Sequence, residues 1–172
     1  MDGIDWAGSA MVAARERLEI AANNLANVSS DGFRASVARG SLTSGGVAIG
    51  RTVPARQGSL RHTGRSDDLA ILGTGDFLVR DRGGRIVRTR GGAFTRGRDG
   101  RLRDDAGRVL VATRLGDGSV VRQGFLEASN VDAIGEMVSM LAAQRGFESA
   151  QKAVEAIDVA RRKASSDVAK VA

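Results

Sequence analysis

Apolar residues recur in steps of three and four at both ends of the chain and in short alternating runs between them. Near the N-terminus the seam is Ile4, Ala7, Met11, Ala14, Leu18, Ala21, Leu25 and Val28. Near the C-terminus it is Met140, Ala143, Phe147, Ala150, Val154, Ile157, Arg161, Ala164, Val168 and Val171, with Arg161 as the one polar break. A sustained 3.5-residue period is that of a coiled-coil contact rather than of an ordinary globular face. The spacing predicts an amphipathic helix over residues 3–28 and a long helix from residue 130. At ~1.5 Å per residue the second would run about 60 Å. One seam at each end suggests that the two ends meet, within a chain or between chains, and that parts of them stay poorly ordered until assembly.

Punctuation marks divide the rest. Ser29-Ser30-Asp31-Gly32 stops the first helix, and Phe33 should fold back onto a helix. Residues 35–50 are small and polar or Gly-rich, with Ser44-Gly45-Gly46 reading as a flexible connection, and the only proline, Pro54, lies just beyond. From Gly58 onward short apolar runs alternate with turn formers. Leu69-Ala70-Ile71-Leu72 and Phe77-Leu78-Val79 flank Gly73-Thr74-Gly75-Asp76, and Asp81-Arg82-Gly83-Gly84, Asp99-Gly100, Asp105-Ala106-Gly107 and Asp117-Gly118 read as hairpin turns. Regular spacing of such strands implies an antiparallel meander or small barrel. Ser129 and Asn130 are plausible N-caps of the long helix, whose first turns carry Asp132 and Glu136, while Arg161, Arg162, Lys163 and Lys170 load its far end.

Composition narrows the picture. Only 3% of 172 residues are aromatic and 23 are Gly, so a large buried core is not expected and the middle should be a thin β structure. Cysteine is absent, which removes disulfides and zinc–thiolate sites. No apolar run approaches the ~18 residues needed to span a bilayer. The opening Met1-Asp2-Gly3-Ile4-Asp5 places acids where a secretory signal carries bases, so the chain reads as soluble and unprocessed.

The formal charge is +6, and 23 of the 26 basic residues are Arg, ten of them from Arg80 to Arg108. Nucleic acid is the first partner such a balance suggests, and a basic nucleic-acid-binding protein is the alternative reading. The stretch lacks aromatic stacking platforms and a recognition helix, and arginines alternating with Gly and Asp in hairpins make solvated strand faces. Candidate chemistry is thin. His62 could nominally recruit Ser59 and Asp67 as a triad, but nothing in the spacing brings them together. Asp67-Asp68 lacks a calcium-loop spacing, and Gly73-Thr74-Gly75 lacks the third glycine and following helix of a dinucleotide site. No catalytic, metal or cofactor site is expected.

Three stretches together resemble the axial proteins of the bacterial flagellum, the basal-body rod and hook family. The first is Leu18-Glu19-Ile20-Ala21-Ala22-Asn23-Asn24-Leu25-Ala26-Asn27-Val28 followed by Asp31-Gly32-Phe33-Arg34. The second runs from Asp68-Leu69-Ala70-Ile71 through Gly73-Thr74-Gly75-Asp76-Phe77 to Thr89-Arg90-Gly91-Gly92-Ala93-Phe94. The third is Gln123-Gly124-Phe125-Leu126-Glu127-Ala128-Ser129-Asn130-Val131-Asp132, then Glu136-Met137 and Gln144-Arg145-Gly146-Phe147-Glu148. They lie in the family's order and span nearly the whole chain. Asp31 stands where the family often has threonine, Arg34 where it has lysine, and the segment between Ala112 and Val120 is short. That brevity resembles a short rod subunit more than a full hook subunit.

The resemblance implies a non-enzymatic structural subunit in the flagellar basal body. Its terminal helices would form a coiled-coil core, its β domain an outer layer, and export would use the flagellar type III apparatus. The expected partners are further copies, other rod and hook proteins and that apparatus, with no membrane insertion; on the arginine charge alone, the outer layer could also contact anionic cell-wall polymers. The sequence thus predicts an α+β fold in which heptad-patterned terminal helices flank a small antiparallel β domain. Residues 1–34 form the N-terminal helix and turn, 35–57 a linker, 58–122 the β domain, and 123–172 the long C-terminal helix segment. The candidate assembly residues are Leu18, Asn24, Leu25, Asn27, Gly32, Phe33, Leu126, Asn130, Val131, Met137, Met140, Arg145, Phe147 and Val154.

Overall fold

The computed structural model describes residues 3–44 and 46–171, with the side chains of 165 and 167–171 excepted. The opening Met1-Asp2, the Gly45 of the connection, and the side chains of Lys170 and of the seam positions Val168 and Val171 lie outside the described residues. The chain divides into two compact units, one of residues 1–25, 36–52 and 133–172 and the other of residues 26–35 and 53–132.

The first unit holds both helices. Helix α1 spans Gly3–Ala26 and α2 spans Ala133–Val171. α2 begins three residues later than the spacing suggested. Asp132 directly precedes it, and the expected N-caps are engaged elsewhere: Ser129 Oγ accepts the Val131 N–H (3.3 Å), and Asn130 Oδ1 accepts the Ala35 N–H (2.7 Å). The helices run antiparallel. A Cβ on Gly3 would lie 3.3 Å from Ile157, a Cβ on Gly146 would lie 3.9 Å from Ala14, and Asn24 bonds Glu136 at 2.8 Å. Each pair of residue numbers adds to 160, so the register holds over 22 residues of each helix, about 32 Å of axis.

The shielded side of both helices follows the seams. Ala14 and Ala21 in α1, and Ala143 and Ala150 in α2, are buried. The buried set of α1 also includes Ala13, Ile20 and Asn24, which is wider than a strict seven-residue strip. A second element accounts for the extra width. Strands β1 (Val37–Thr43) and β2 (Gly46–Thr52) pair over seven residues as a hairpin, where the sequence had suggested a linker through 35–57. The Val47 N–H donates to Ser9 Oγ (3.2 Å) and Arg51 Nη2 to Asn23 Oδ1 (3.2 Å), so this ribbon follows α1 from Ser9 to Asn23. Its glycines and short polar side chains blur the apolar alternation that marks a strand. Its pairing comes from the ladder and the helix beneath, not from propensity.

The second unit contains nine strands: β3 (Leu60–His62), β4 (Leu69–Leu72), β5 (Gly75–Arg80), β6 (Ile86–Thr89), β7 (Thr95–Arg96), β8 (Leu102–Arg103), β9 (Val109–Leu115), β10 (Val120–Gln123) and β11 (Phe125–Glu127). Five form an antiparallel sheet in the order β6-β5-β9-β8-β7, while β4 pairs β10 and β3 pairs β11. The order departs from the expected meander because β9 returns beside β5, where Leu110 reaches the core. That core is Ile71, Phe77, Val79 and Phe94, and the two phenylalanine rings meet edge-on with centroids 5.5 Å apart. Residues 123–132, expected within the long helix segment, instead carry β11 and the chain up to Asp132 in this unit.

Three hairpin turns predicted from Asp and Gly form as read. In two of them the aspartate binds the backbone and the side chain of the arginine four residues on. Asp81 accepts from the Arg85 N–H (2.9 Å) and pairs with its guanidinium (3.5 Å); Asp104 does the same with Arg108 (2.9 and 2.7 Å). At the third, Asp99 accepts the Arg101 N–H (3.3 Å) and pairs with Arg103 (2.7 Å). The Arg101 backbone bond, helped by Arg103, lowers the Asp99 carboxyl below the ordinary carboxylate value. Three of the ten arginines in the basic stretch therefore brace their own turns.

Candidate assembly surface and motif junction

In the second unit the three motif segments converge on one buried ion pair. Glu127, in the third segment, is 1% exposed, and Arg90, in the second, is 4% exposed. Arg90 Nε donates to Glu127 Oε2 at 2.8 Å and Nη2 to the same oxygen at 2.5 Å. The remaining guanidinium hydrogens reach the carbonyls of Ile71 (2.8 Å), Gly73 (3.1 Å) and Gly75 (3.0 Å), along the strand ends of β4 and β5. Gln57 adds a bond to the Ile71 carbonyl (2.6 Å) and the Gly58 N–H one to Glu127 Oε1 (3.3 Å). Arg34 Nε lies 3.9 Å from that oxygen. A buried charge is tolerated when it is paired and its other hydrogen-bonding groups are met. Arg90 meets this condition by tying a carboxylate to three backbone carbonyls at once.

The first segment closes over this pair. The Gly32 N–H donates to the Glu127 carbonyl (2.6 Å), with Gly32 at φ +71°. A Cβ there would stand 2.2 Å from the Gly91 nitrogen and 2.3 Å from the Arg90 carbonyl carbon. Only glycine fits, for both conformation and space. Phe33, half-buried, receives a bond on its carbonyl from the Asn130 N–H (3.4 Å), and Asn130 Nδ2 donates to the Arg56 carbonyl (2.6 Å). Leu126 is buried in this unit, and Asn27 and Val131 are half-buried. Of these candidate residues, Gly32 bonds the Glu127 carbonyl and Leu126 directly precedes Glu127 in β11.

In the first unit Asn24 is fully buried. Its Nδ2 donates to the Ser36 carbonyl (2.8 Å) and to Glu136 Oε1 (2.8 Å), and its Oδ1 accepts the Ser36 N–H (2.8 Å). The amide thus stands in for a strand neighbour of Ser36. Asn24, a candidate assembly residue, spends its side chain on bonds within its own chain. Leu18, Leu25, Met140 and Val154 are half-buried on the helix pair, whereas Arg145 is exposed. Met137 is 51% exposed and Phe147 36%. Around Met137 the first turns of α2 present Ile134, Val138 and Leu141, each more than half exposed, at helical spacing. The sequence pointed to Met137 through the third motif segment but not to its three neighbours, which lie in neither that segment nor the heptad seam. An open hollow of about 460 Å³ between α1, β1 and α2 is lined by Ala14, Arg17, Ala21, Ser36, Glu136 and Ala143 among others.

The nominal triad is not assembled. His62 meets the Phe125 ring edge-on at 4.9 Å, and Asp67 is engaged by Arg96 (3.1 Å). Among the described residues no group of three or more His, Cys, Asp or Glu could hold a metal ion, and no helix is long and apolar enough to cross a membrane.

Two helices flanking an antiparallel β region define an α+β fold. Comparison with known families gives this class a place. Residues 4–34 match the model described as flagella basal body rod protein, and residues 122–166 match the flagellar basal body rod FlgEFG protein C-terminal model. No curated protein matches the chain. The two matched end segments support a protein of the flagellar basal-body rod and hook family, placed in the flagellar basal body. The segment between the two matches, which holds Arg90 and the sheet core, is covered by neither model.

Proposed function

We propose that this chain is a rod subunit that polymerises helically through its two terminal helices, with the β unit as its outer layer. The single observation that carries the reading is the apolar stripe of Ile134, Met137, Val138 and Leu141. It lies on the side of α2 that neither α1 nor the hairpin covers. Contiguous apolar faces of this kind mark association surfaces. The hollow lined by small side chains on the same unit offers a complementary recess for a neighbour's helix. A repeated contact between two different surfaces of one chain generates an open filament. The heptad seams then extend into coiled-coil contacts in the assembled state. This holds above all for the part of α2 beyond Ile157, which the register leaves without a described α1 residue opposite.

The same reading makes the chain non-catalytic, exported by the flagellar type III apparatus, and in contact with the rod and hook proteins above and below it. Replacing Met137 and Leu141 together by Asp tests it. The variant should keep wild-type helicity and thermal midpoint yet leave cells without complete basal bodies by electron microscopy. Normal basal bodies and swimming in that strain would rule the proposal out.

A further inference from the structure

We propose that the outer face of the five-stranded sheet docks a carboxylate-bearing glycan of the cell wall. The proposal rests on the basal-body location and on a charge surplus that the fold places on one face. The second unit carries 16 arginines against 11 acids, a surplus of five within the chain's +6. Eight of those arginines lie within 4 Å of a carboxylate. Much of the remainder falls on one surface. Phe77 and Val79 of β5 face the core, so Asp76, Leu78 and Arg80 lie on the opposite face. The register sets Arg88 of β6 across from Leu78, Arg114 of β9 across from Asp76, and Arg103 of β8 across from Val109, itself the partner of Arg80. Four adjacent strands therefore each present an arginine to the same side.

Arg103 is held by Asp99 and Arg114 faces Asp76, but Arg80 and Arg88 make no ion pair with any carboxylate of the unit. Arg80 and Arg101 border a hollow of about 370 Å³ with Val109 and Val111, and the Asp81 at its edge is taken by Arg85. Cations above an aliphatic floor suit a polymer that alternates carboxylates with the C–H faces of sugar rings and alanyl methyls. They do not suit nucleic acid. The strand positions of this outer face carry no aromatic side chain to stack a base, and this unit has no helix to enter a groove.

The test is co-sedimentation of the full chain with purified peptidoglycan sacculi across a salt series, with duplex DNA as competitor. The key variant is Arg80→Glu/Arg88→Glu/Arg101→Glu, checked for unchanged circular dichroism and thermal midpoint. The control is Lys152→Glu on the exposed side of α2. Expected is wild-type binding at low ionic strength that fades as salt rises, a loss of about tenfold in the triple variant, and none in the control. The proposal is overturned by no binding, by binding indifferent to salt or to the triple substitution, or by DNA competing as well as soluble wall fragments. If the triple variant misfolds, the wild-type salt series and competition decide alone. Whether the chain is present in purified basal bodies is read separately, so failure of the location and failure of the docking surface are distinguishable.

Discussion

The guanidinium of Arg90 lies 2.5 Å from Glu127 Oε2, between side chains 37 positions apart in sequence and 2% and 1% exposed. This pair joins β11 to the turn after β6, and through the Ile71, Gly73 and Gly75 carbonyls it also grips the β4–β5 connection. Removing either partner strands a charge in a dry site. Arg90→Ala or Glu127→Ala should each cost about 3–5 kcal/mol in urea unfolding. The double replacement Arg90→Leu/Glu127→Leu should cost less than the sum of the singles, since no orphan charge remains. Single-variant losses under about 1 kcal/mol would show that the pair is not a keystone.

Gly32 and Gly100 separate conformational strain from collision. Both have positive φ, +71° and +74°, but a Cβ on Gly100 meets nothing within 4 Å, while one on Gly32 strikes the backbone of Arg90 and Gly91. Gly100→Ala should cost about 1 kcal/mol, the ordinary left-handed penalty. Gly32→Ala should cost clearly more, since backbone must also move. Equal midpoints for the two variants in thermal unfolding would mean that the Gly32 turn can simply shift aside.

Asn24→Ala leaves the Ser36 N–H and carbonyl and the Glu136 carboxylate without this partner. At about 1–3 kcal/mol per buried unsatisfied group, the variant should lose at least 2 kcal/mol. It should also speed amide exchange in the hairpin before exchange in the second unit. Uniform exchange across both units would contradict the assignment of this side chain to the first.

Asp99→Asn tests the hairpin charge. The folded carboxyl is lowered, so its contribution is present above the unfolded-state value and lost as pH falls through the folded one. The wild type should exceed the variant slightly at neutral pH, and the two should converge as acid takes the pH below the ordinary carboxylate range. The gap should be small because the group is fully exposed. A difference that widened in acid would reverse the sign of the argument.

Several parts of this architecture are legible residue by residue. Asp-Gly turns, the helix stop at Ser29-Ser30-Asp31-Gly32 and the two terminal helices depend on neighbours within a few positions, and they appear where the pattern puts them. The hairpin of residues 37–52 does not show, because Gly40, Gly46, Gly50 and Ser41 dilute its alternation and its support comes from α1. Arg90 is equally hidden. It is one of ten arginines in a stretch where the others are half-buried or exposed, and nothing local marks it as the buried one.

By itself, then, the sequence determines the two helices, the Asp-Gly turns and which flagellar family the ends match, since those depend on short-range periodicity and contiguous motif residues. Tertiary structure decides the 160-sum register of the helices, the inward turn of Asn24, the burial of Arg90 against Glu127, and the exposure of Ile134, Met137, Val138 and Leu141. The physical reason is that burial is set by what lies opposite a side chain. Here the opposing residue is 37 positions away for Arg90 and 112 for Asn24 and Glu136, distances over which no local pattern carries information.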